Sequence, residues 1–256
     1  MEADPRCGAA RGRGIVMDWD SFLAVHSDLP REGPGEAADV GWALALACLP
    51  EGAAICDAGA GAGGDVAALL TVPGARVLAI DTHPGFVAQM RARFAGEARV
   101  TVEEADMAAL GAHPAGHFDL IWCAGALYFL GLEEGLARMG AALKPGGVLA
   151  FSEPCHFVDA PSEAAVGFWE GYPVRTASGI AAAVAAAGYA SLGARPLGDA
   201  AWEAYYAPME ARIAALRPGA DGRLAAMLDL CGDEAAQWRR VRAETGYLLT
   251  VARWKG

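Results

Sequence analysis

Residues 55 to 64 read Ile-Cys-Asp-Ala-Gly-Ala-Gly-Ala-Gly-Gly, and this stretch restricts the fold of the chain more than any other. A short apolar run ends in a carboxylate, Asp57, and Gly59, Gly61, Gly63 and Gly64 follow before an Ala/Leu-rich segment. The pattern predicts a strand, a tight turn and a helix start. Glycine lacks Cβ, so it accepts unusual dihedrals and lets another group approach the backbone closely. The helix start offers unpaired N–H groups. A turn of this kind suits a nucleotide-like ligand.

Gly59, Gly61 and Gly64 satisfy the G-x-G-x-x-G dinucleotide pattern, and Asp81 lies at the distance where that pattern expects an acid. Asp57 argues against a pyrophosphate here. Like charges ~4 Å apart repel by on the order of 4 kcal/mol at an effective dielectric of 20. A cationic ligand is attracted instead, and S-adenosylmethionine carries a sulfonium and an ammonium beside its adenosine.

Asp57, Gly59, Gly61 and Gly63 match the D-x-G-x-G-x-G motif of the class I S-adenosylmethionine-dependent methyltransferases, and the chain resembles that family in four further segments. Residues 77–81 resemble the second strand with its ribose-binding acid, Asp81, followed by Thr82. Residues 100–107 resemble the third strand with the adenine-reading acid, Asp106, and Met107, whose N–H serves a ring nitrogen. Residues 118–123 resemble the fourth strand, ending in Cys123, and 143–151 the turn and fifth strand. Outside this core, 29–35 and 202–208 are similar to segments of a bacterial branch of small methyltransferases with no settled substrate. The resemblance implies S-adenosylmethionine as cofactor, held by these motif residues. Arg31 is a candidate clamp for the cofactor carboxylate or a substrate anion, its bland alternative being a surface pair with Glu32 or Glu36.

The rest of the chain is consistent with that fold. Strands are expected near 53–57, 75–81, 98–102, 118–123 and 147–153, with helices near 64–71, 84–95 and 132–142, a rhythm of right-handed βαβ units. Two helical pieces precede them around the Pro/Gly turn at 30–35. Helices near 162–170 and 176–187 and strands near 189–195 and 246–254 follow. The expected fold is α/β, a Rossmann-like seven-stranded, mostly parallel sheet with helices on both faces and an antiparallel last strand. A loose leader (1–16) would precede a single domain from Met17, itself a candidate start. That domain divides into a cap (17–50), a core (51–198), a helical insertion (199–242) and the last strand (243–256). The insertion is either a lid over the site or a packing extension.

Methyl transfer is an in-line displacement at an already activated carbon, so the protein mainly supplies alignment and a dry pocket. A general base is needed only when the acceptor must lose a proton. The candidates near strand ends four and five are Tyr128, Glu153 and His156. Trp169, Tyr172, Trp202, Tyr205 and Tyr206 are candidates for an acceptor pocket. The Asp/Asn-Pro-Pro-aromatic motif of amino-directed nucleic-acid methyltransferases is absent after the fourth strand.

Charge and cysteine usage narrow the function further. Twenty Lys and Arg against 31 Asp and Glu give −11, without the basic footprint that nucleic acid requires. No run reaches the ~20 apolar residues of a membrane span. The six cysteines form no C-x-x-C pair and suit a reducing, cytoplasmic setting. His113 and His117 are separated by helix-breaking Pro114 and Gly116, so no metal site is expected. The expected partner is a small-molecule methyl acceptor, with neither nucleic acid nor membrane. The competing readings are an NAD(P)-dependent oxidoreductase and a non-catalytic cofactor-binding or partner module.

Overall fold

The computed structural model describes residues 18–27, 29–113 and 117–256; the expected leader, Met17 and Cys7 lie outside the described residues. The strands are β1 (Ala54–Ala58), β2 (Arg76–Asp81), β3 (Val100–Glu104), β4 (Phe118–Cys123), β5 (Leu143–His156), β6 (Arg175–Thr176), β7 (Tyr189–Pro196) and β8 (Thr245–Trp254). The helices are α1 (Trp19–His26), α2 (Ala37–Ala47), α3 (Val66–Leu69), α4 (Pro84–Arg93), α5 (Leu132–Ala142), α6 (Glu163–Gly167), α7 (Ala177–Ala186), α8 (Asp199–Leu216) and α9 (Gly222–Val241). The sheet order is β3-β2-β1-β4-β5-β8-β7. Strands β1 to β5 pair in parallel, and β8 lies antiparallel between β5 and β7. The expected seven strands form this path, and β6 adds an eighth, two residues paired with β5 off the path. A strand that short carries no alternation for a sequence reading to find.

Successive strand residues point to opposite faces, and both faces are covered. Ile55, Val77, Leu120, Trp122 and Val148 face one core with Val40, Phe86, Met90 and the aromatics of α8 and α9. Cys56, Leu78, Ile121, Leu149 and Phe151 face the other with Leu136, Met139 and Ile180. Burial on both sides explains why β1, β2 and β4 read as near-continuous apolar runs.

The cap is fastened to this sheet. Glu36 and Asp39 cap the start of α2 reciprocally, and Asp39 Oδ1 also accepts from Arg195 of β7 at 2.7 Å. Helix α1 packs against α8 and α9. The turn after β1 runs on to Asp65, so α3 keeps only four residues of the longer helix expected there.

Candidate functional site

A cavity of about 1050 Å3 opens at the carboxyl ends of the parallel strands, where the order reverses between β1 and β4 and ligands of open α/β sheets bind. Its floor is the glycine turn. Gly59 has φ +75°, and a Cβ there would lie 2.5 Å from Ala126 Cβ. The turn is tied to the end of β2: Gly59 and Ala60 N–H donate to Ile80 O at 3.0 and 2.9 Å, and Gly61 N–H donates to Asp81 Oδ2 at 3.0 Å. Asp81 Oδ1 accepts from His83 N–H at 2.8 Å. A carboxylate oxygen has two lone pairs, so each keeps capacity for a further donor. Gly63, expected at the cofactor, does not line the cavity; with φ +78° it seats the turn on α4, where a Cβ would meet Phe94 at 2.9 Å.

Asp57, the next-to-last residue of β1, lines the cavity, 3% exposed, and its Oδ2 has no hydrogen-bond partner. Burial pushes its carboxyl well above the ordinary range, Asp65 and Asp81 add to the effect, and Arg31 opposes it. Arg31 arrives from the loop between α1 and α2 and is the one Lys, Arg or His among the described residues that line the cavity. Its Nη2 reaches Asp65 Oδ2 at 3.2 Å, and Asp65 also accepts from Trp122 Nε1 at 3.0 Å. Gly35 N–H donates to Ala201 O at 3.0 Å, tying the loop to α8. The Arg31–Asp65 pair replaces the expected surface partners, Glu32 and Glu36.

Thr82, Asp106 and Met107 line the cavity as expected. Asp106 Oδ1 accepts from Ala108 N–H at 2.8 Å, capping the 3-10 turn Met107–Ala112. Cys123 is fully buried beneath the wall, its thiol 3.9 Å from Met107 Sδ, and the cavity meets Ala124, Gly125 and Ala126 there instead.

The far end is aromatic. Tyr128, Trp169, Tyr172, Trp202, Tyr205 and Tyr247 all line it. Trp202 stacks on Tyr247 at 5.3 Å, Trp169 meets Tyr247 at 5.2 Å, and Tyr128 stands edge-on to Tyr172 at 5.8 Å. Tyr206, expected in the pocket, lies fully buried behind this wall, and its hydroxyl donates to Glu234 Oε1 at 2.9 Å. Glu234 itself lines the cavity.

Of the three candidate bases, Tyr128 is in the wall while Glu153 and His156 are not. Glu153 is 1% exposed, and burial pushes its carboxyl up to about 7 although the Tyr172 hydroxyl, donating to Oε1 at 2.5 Å, pulls the other way. Its partner Tyr172 lines the cavity. His156 sits opposite Thr245 of β8, and burial lowers its imidazole. Asp65, Glu234 and Tyr247 were not singled out from the sequence. Asp65 directly follows the last glycine of the turn, a readable signal, whereas Glu234 belongs to no motif. Among the described residues, no three His, Cys, Asp or Glu side chains are grouped to hold a metal, and no helix is long and apolar enough to cross a membrane.

The strand order with β8 reversed, joined to the acid-and-glycine turn after β1, is the arrangement that the resemblance to class I methyltransferases leads one to expect. Residues 55–147 match the family described as "Methyltransferase domain". The trans-aconitate 2-methyltransferase of Methylobacterium nodulans is 34% identical over 141 residues, 54% of this chain and 51% of that protein. The chain thus spans about half the length of the curated relatives it matches. A methyltransferase from Geobacter sulfurreducens, solved with S-adenosyl-L-homocysteine, has TM-score 0.79 at 20% identity, over 91% of this chain and 97% of that one. The [4+2]-cyclase SpnF has TM-score 0.71 at 16% identity, over 92% of each chain. At such identities the likeness concerns the fold.

Proposed function

We propose that the chain binds S-adenosylmethionine and directs its methyl group to a small-molecule acceptor. The observation that carries this reading is Asp57, a buried carboxylate in the cavity wall with an oxygen that no protein group satisfies. Leaving such an oxygen unpaired is costly unless a ligand completes it, and a cationic ligand also offsets the repulsion from Asp65 and Asp81. The glycine turn suits the same occupant: at Gly59 a Cβ would lie 2.5 Å from Ala126 Cβ, so glycine lets the turn close at this end of the cavity. A pyrophosphate would face three carboxylates.

In this reading Asp81 accepts from the ribose, Asp106 and the Met107 N–H read the adenine, Asp57 meets the ammonium, and Arg31 faces the cofactor carboxylate. The cofactor, when bound, supplies an electrophilic methyl carbon on a positively charged sulfur. The chain itself aligns the acceptor and keeps water out: α8, α9 and the 168–173 segment wall the cavity beyond the strand ends, and alignment of this kind lowers barriers without any group reacting. Tyr172 is placed to take a proton as its own passes to Glu153. The proposed unit is residues 17–256, with the cap (17–50) and the insertion (199–242) part of the site, the insertion acting as its lid. The free cysteines, four of the five described being buried, support a reducing, cytoplasmic compartment. The acid-lined cavity supports the expectation of no nucleic-acid substrate.

Calorimetry with S-adenosylmethionine, S-adenosylhomocysteine and NAD tests the cofactor, with the first two expected to bind at micromolar strength, about −7 to −8 kcal/mol. Labelled methyl turnover against a metabolite panel then separates an enzyme from a binding module. Tight NAD binding without response to the methionine-derived ligands would sink the assignment.

A further inference from the structure

We infer that the methyl acceptor is an organic amine that enters as a cation and is held between the aromatic wall and the Glu234 carboxyl. This rests on the methyltransferase reading and deepens it.

The acceptor end of the cavity offers two kinds of surface, and both select for positive charge. Tyr128, Phe168 and Trp169 line this end half-buried, backed by the stacked Trp202 and Tyr247 at 5.3 Å, and a ring face attracts an organic cation through its quadrupole. The carboxyls of Asp233 and Glu234 also line the cavity. Glu234 does not point there by chance. The buried Tyr206 hydroxyl fixes one of its oxygens at 2.9 Å, and Tyr206 is in turn packed on Trp202 and Trp238 at 5.9 and 5.6 Å.

Arg31 is the one Lys, Arg or His among the described cavity residues, and Asp65 engages it at the glycine turn. The other basic group facing Glu234 is His26, buried behind the wall with its Nδ1 bonded to Glu32 Oε2 at 2.8 Å. At the opposite end of the cavity Asp57 presents a buried oxygen without a partner. A polycarboxylate would meet acids along the cavity while Arg31, the one guanidinium among the described cavity residues, is engaged by Asp65 at the glycine turn, so the acceptor named for the trans-aconitate relatives does not suit this cavity.

The transfer step agrees with the lining. The ammonium first gives its proton to the Tyr172 oxygen as the Tyr172 hydroxyl proton passes to Glu153, leaving a lone pair on nitrogen. That pair forms the N–CH3 bond, the CH3–S bond breaks, and its electrons remain on sulfur as a neutral thioether. Positive charge therefore moves from sulfur to nitrogen and stays inside an acidic, aromatic pocket. Transfer to a carboxylate would instead cancel the charge that this pocket is built to hold.

Choline and its uncharged carbon isostere 3,3-dimethylbutan-1-ol are the probes, titrated into the wild-type protein saturated with S-adenosylhomocysteine while tryptophan fluorescence is followed. Choline should bind at least about tenfold tighter than the isostere, and trans-aconitate should bind more weakly than either. Glu234→Gln keeps an oxygen for Tyr206 and should weaken choline about tenfold while S-adenosylhomocysteine affinity stays within about twofold. Labelled methyl should appear on members of a primary-to-tertiary amine panel and not on carboxylic acids. Equal binding of choline and its isostere, tighter trans-aconitate, or methyl ester products would overturn the amine inference while leaving cofactor binding intact. Failure to bind S-adenosylhomocysteine at all would instead remove the reading beneath it. The isostere comparison uses the wild-type chain, so it decides the matter even if Glu234→Gln does not fold.

Discussion

Glu153→Gln should stabilise the protein at pH 8 far more than at pH 4.5. In the folded chain the carboxyl is pushed up to about 7 from an ordinary 4.5, so between those values the folded state holds a proton that the unfolded chain has released. Stability is then fully present below pH 4.5 and falls as pH rises towards 7. The gap of about 2.5 units, at 1.36 kcal/mol each, amounts to roughly 3 kcal/mol lost by the wild type above pH 7. Glutamine does not ionise, and its oxygen can still accept from Tyr172. The fixed cost of its amide is the same at both pH values and cancels. In a domain of this size roughly 3 kcal/mol corresponds to about 6–12 °C in Tm. Calorimetric melts of both proteins at pH 4.5 and 8 give the difference of differences directly. An equal Tm offset at the two pH values would show that Glu153 is not ionising in a buried site, and the proton route through Tyr172 would lose its acceptor.

Asp57→Asn should weaken S-adenosylmethionine binding by about 1.5–3 kcal/mol by calorimetry, the scale of a lost charged hydrogen bond. The variant should also raise the ligand-free Tm at alkaline pH, because burial already disfavours the charged form; undiminished affinity would remove Asp57 from the site. Asp81→Ala should lower cofactor affinity by a similar ~1.5–3 kcal/mol and lower Tm as well, since Asp81 also holds the Gly61 and His83 N–H groups. Unchanged binding at full stability would mean a different acid reads the ribose. Trp202→Ala should cost about 3–5 kcal/mol of stability in denaturant titrations, because the ring is 3% exposed and stacked on Trp238 at 5.0 Å and Tyr247 at 5.3 Å; a change within 1 kcal/mol would show the cluster to be loosely packed.

The sheet was legible because its strands are buried on two faces and separated by turns with strong local chemistry. Asp57, Gly59, Asp81 and Asp106 sit at strand ends for the same reason, since a strand's last residue is fixed once the turn after it is recognised. Gly63 and Cys123 belong to the same motifs yet fall outside the cavity, because spacing along the chain does not say which side of a turn a residue faces. The acceptor end was harder to read. Glu234 reaches the cavity through the packing of α9 on α1 and α8, and Tyr206 turns inward on a helix face it shares with Trp202. Such placements come from contacts between elements far apart in sequence, which no local pattern records.

On the proposed function, the position of β8 ties acceptor choice to folding. It pairs with β5 and β7 only after the chain has passed through α8 and α9, so Trp202, Tyr205 and Glu234 are assembled in the same closure that completes the sheet. Evolving a new acceptor through those helices therefore exposes the whole domain to loss of stability, because Trp202 and Trp238 belong to the main core. The 168–173 segment contributes Trp169, Glu170 and Tyr172 from half-buried or exposed positions. It offers the cheaper route to altered specificity, and variation among proteins of this architecture should concentrate there while α8 and α9 change slowly.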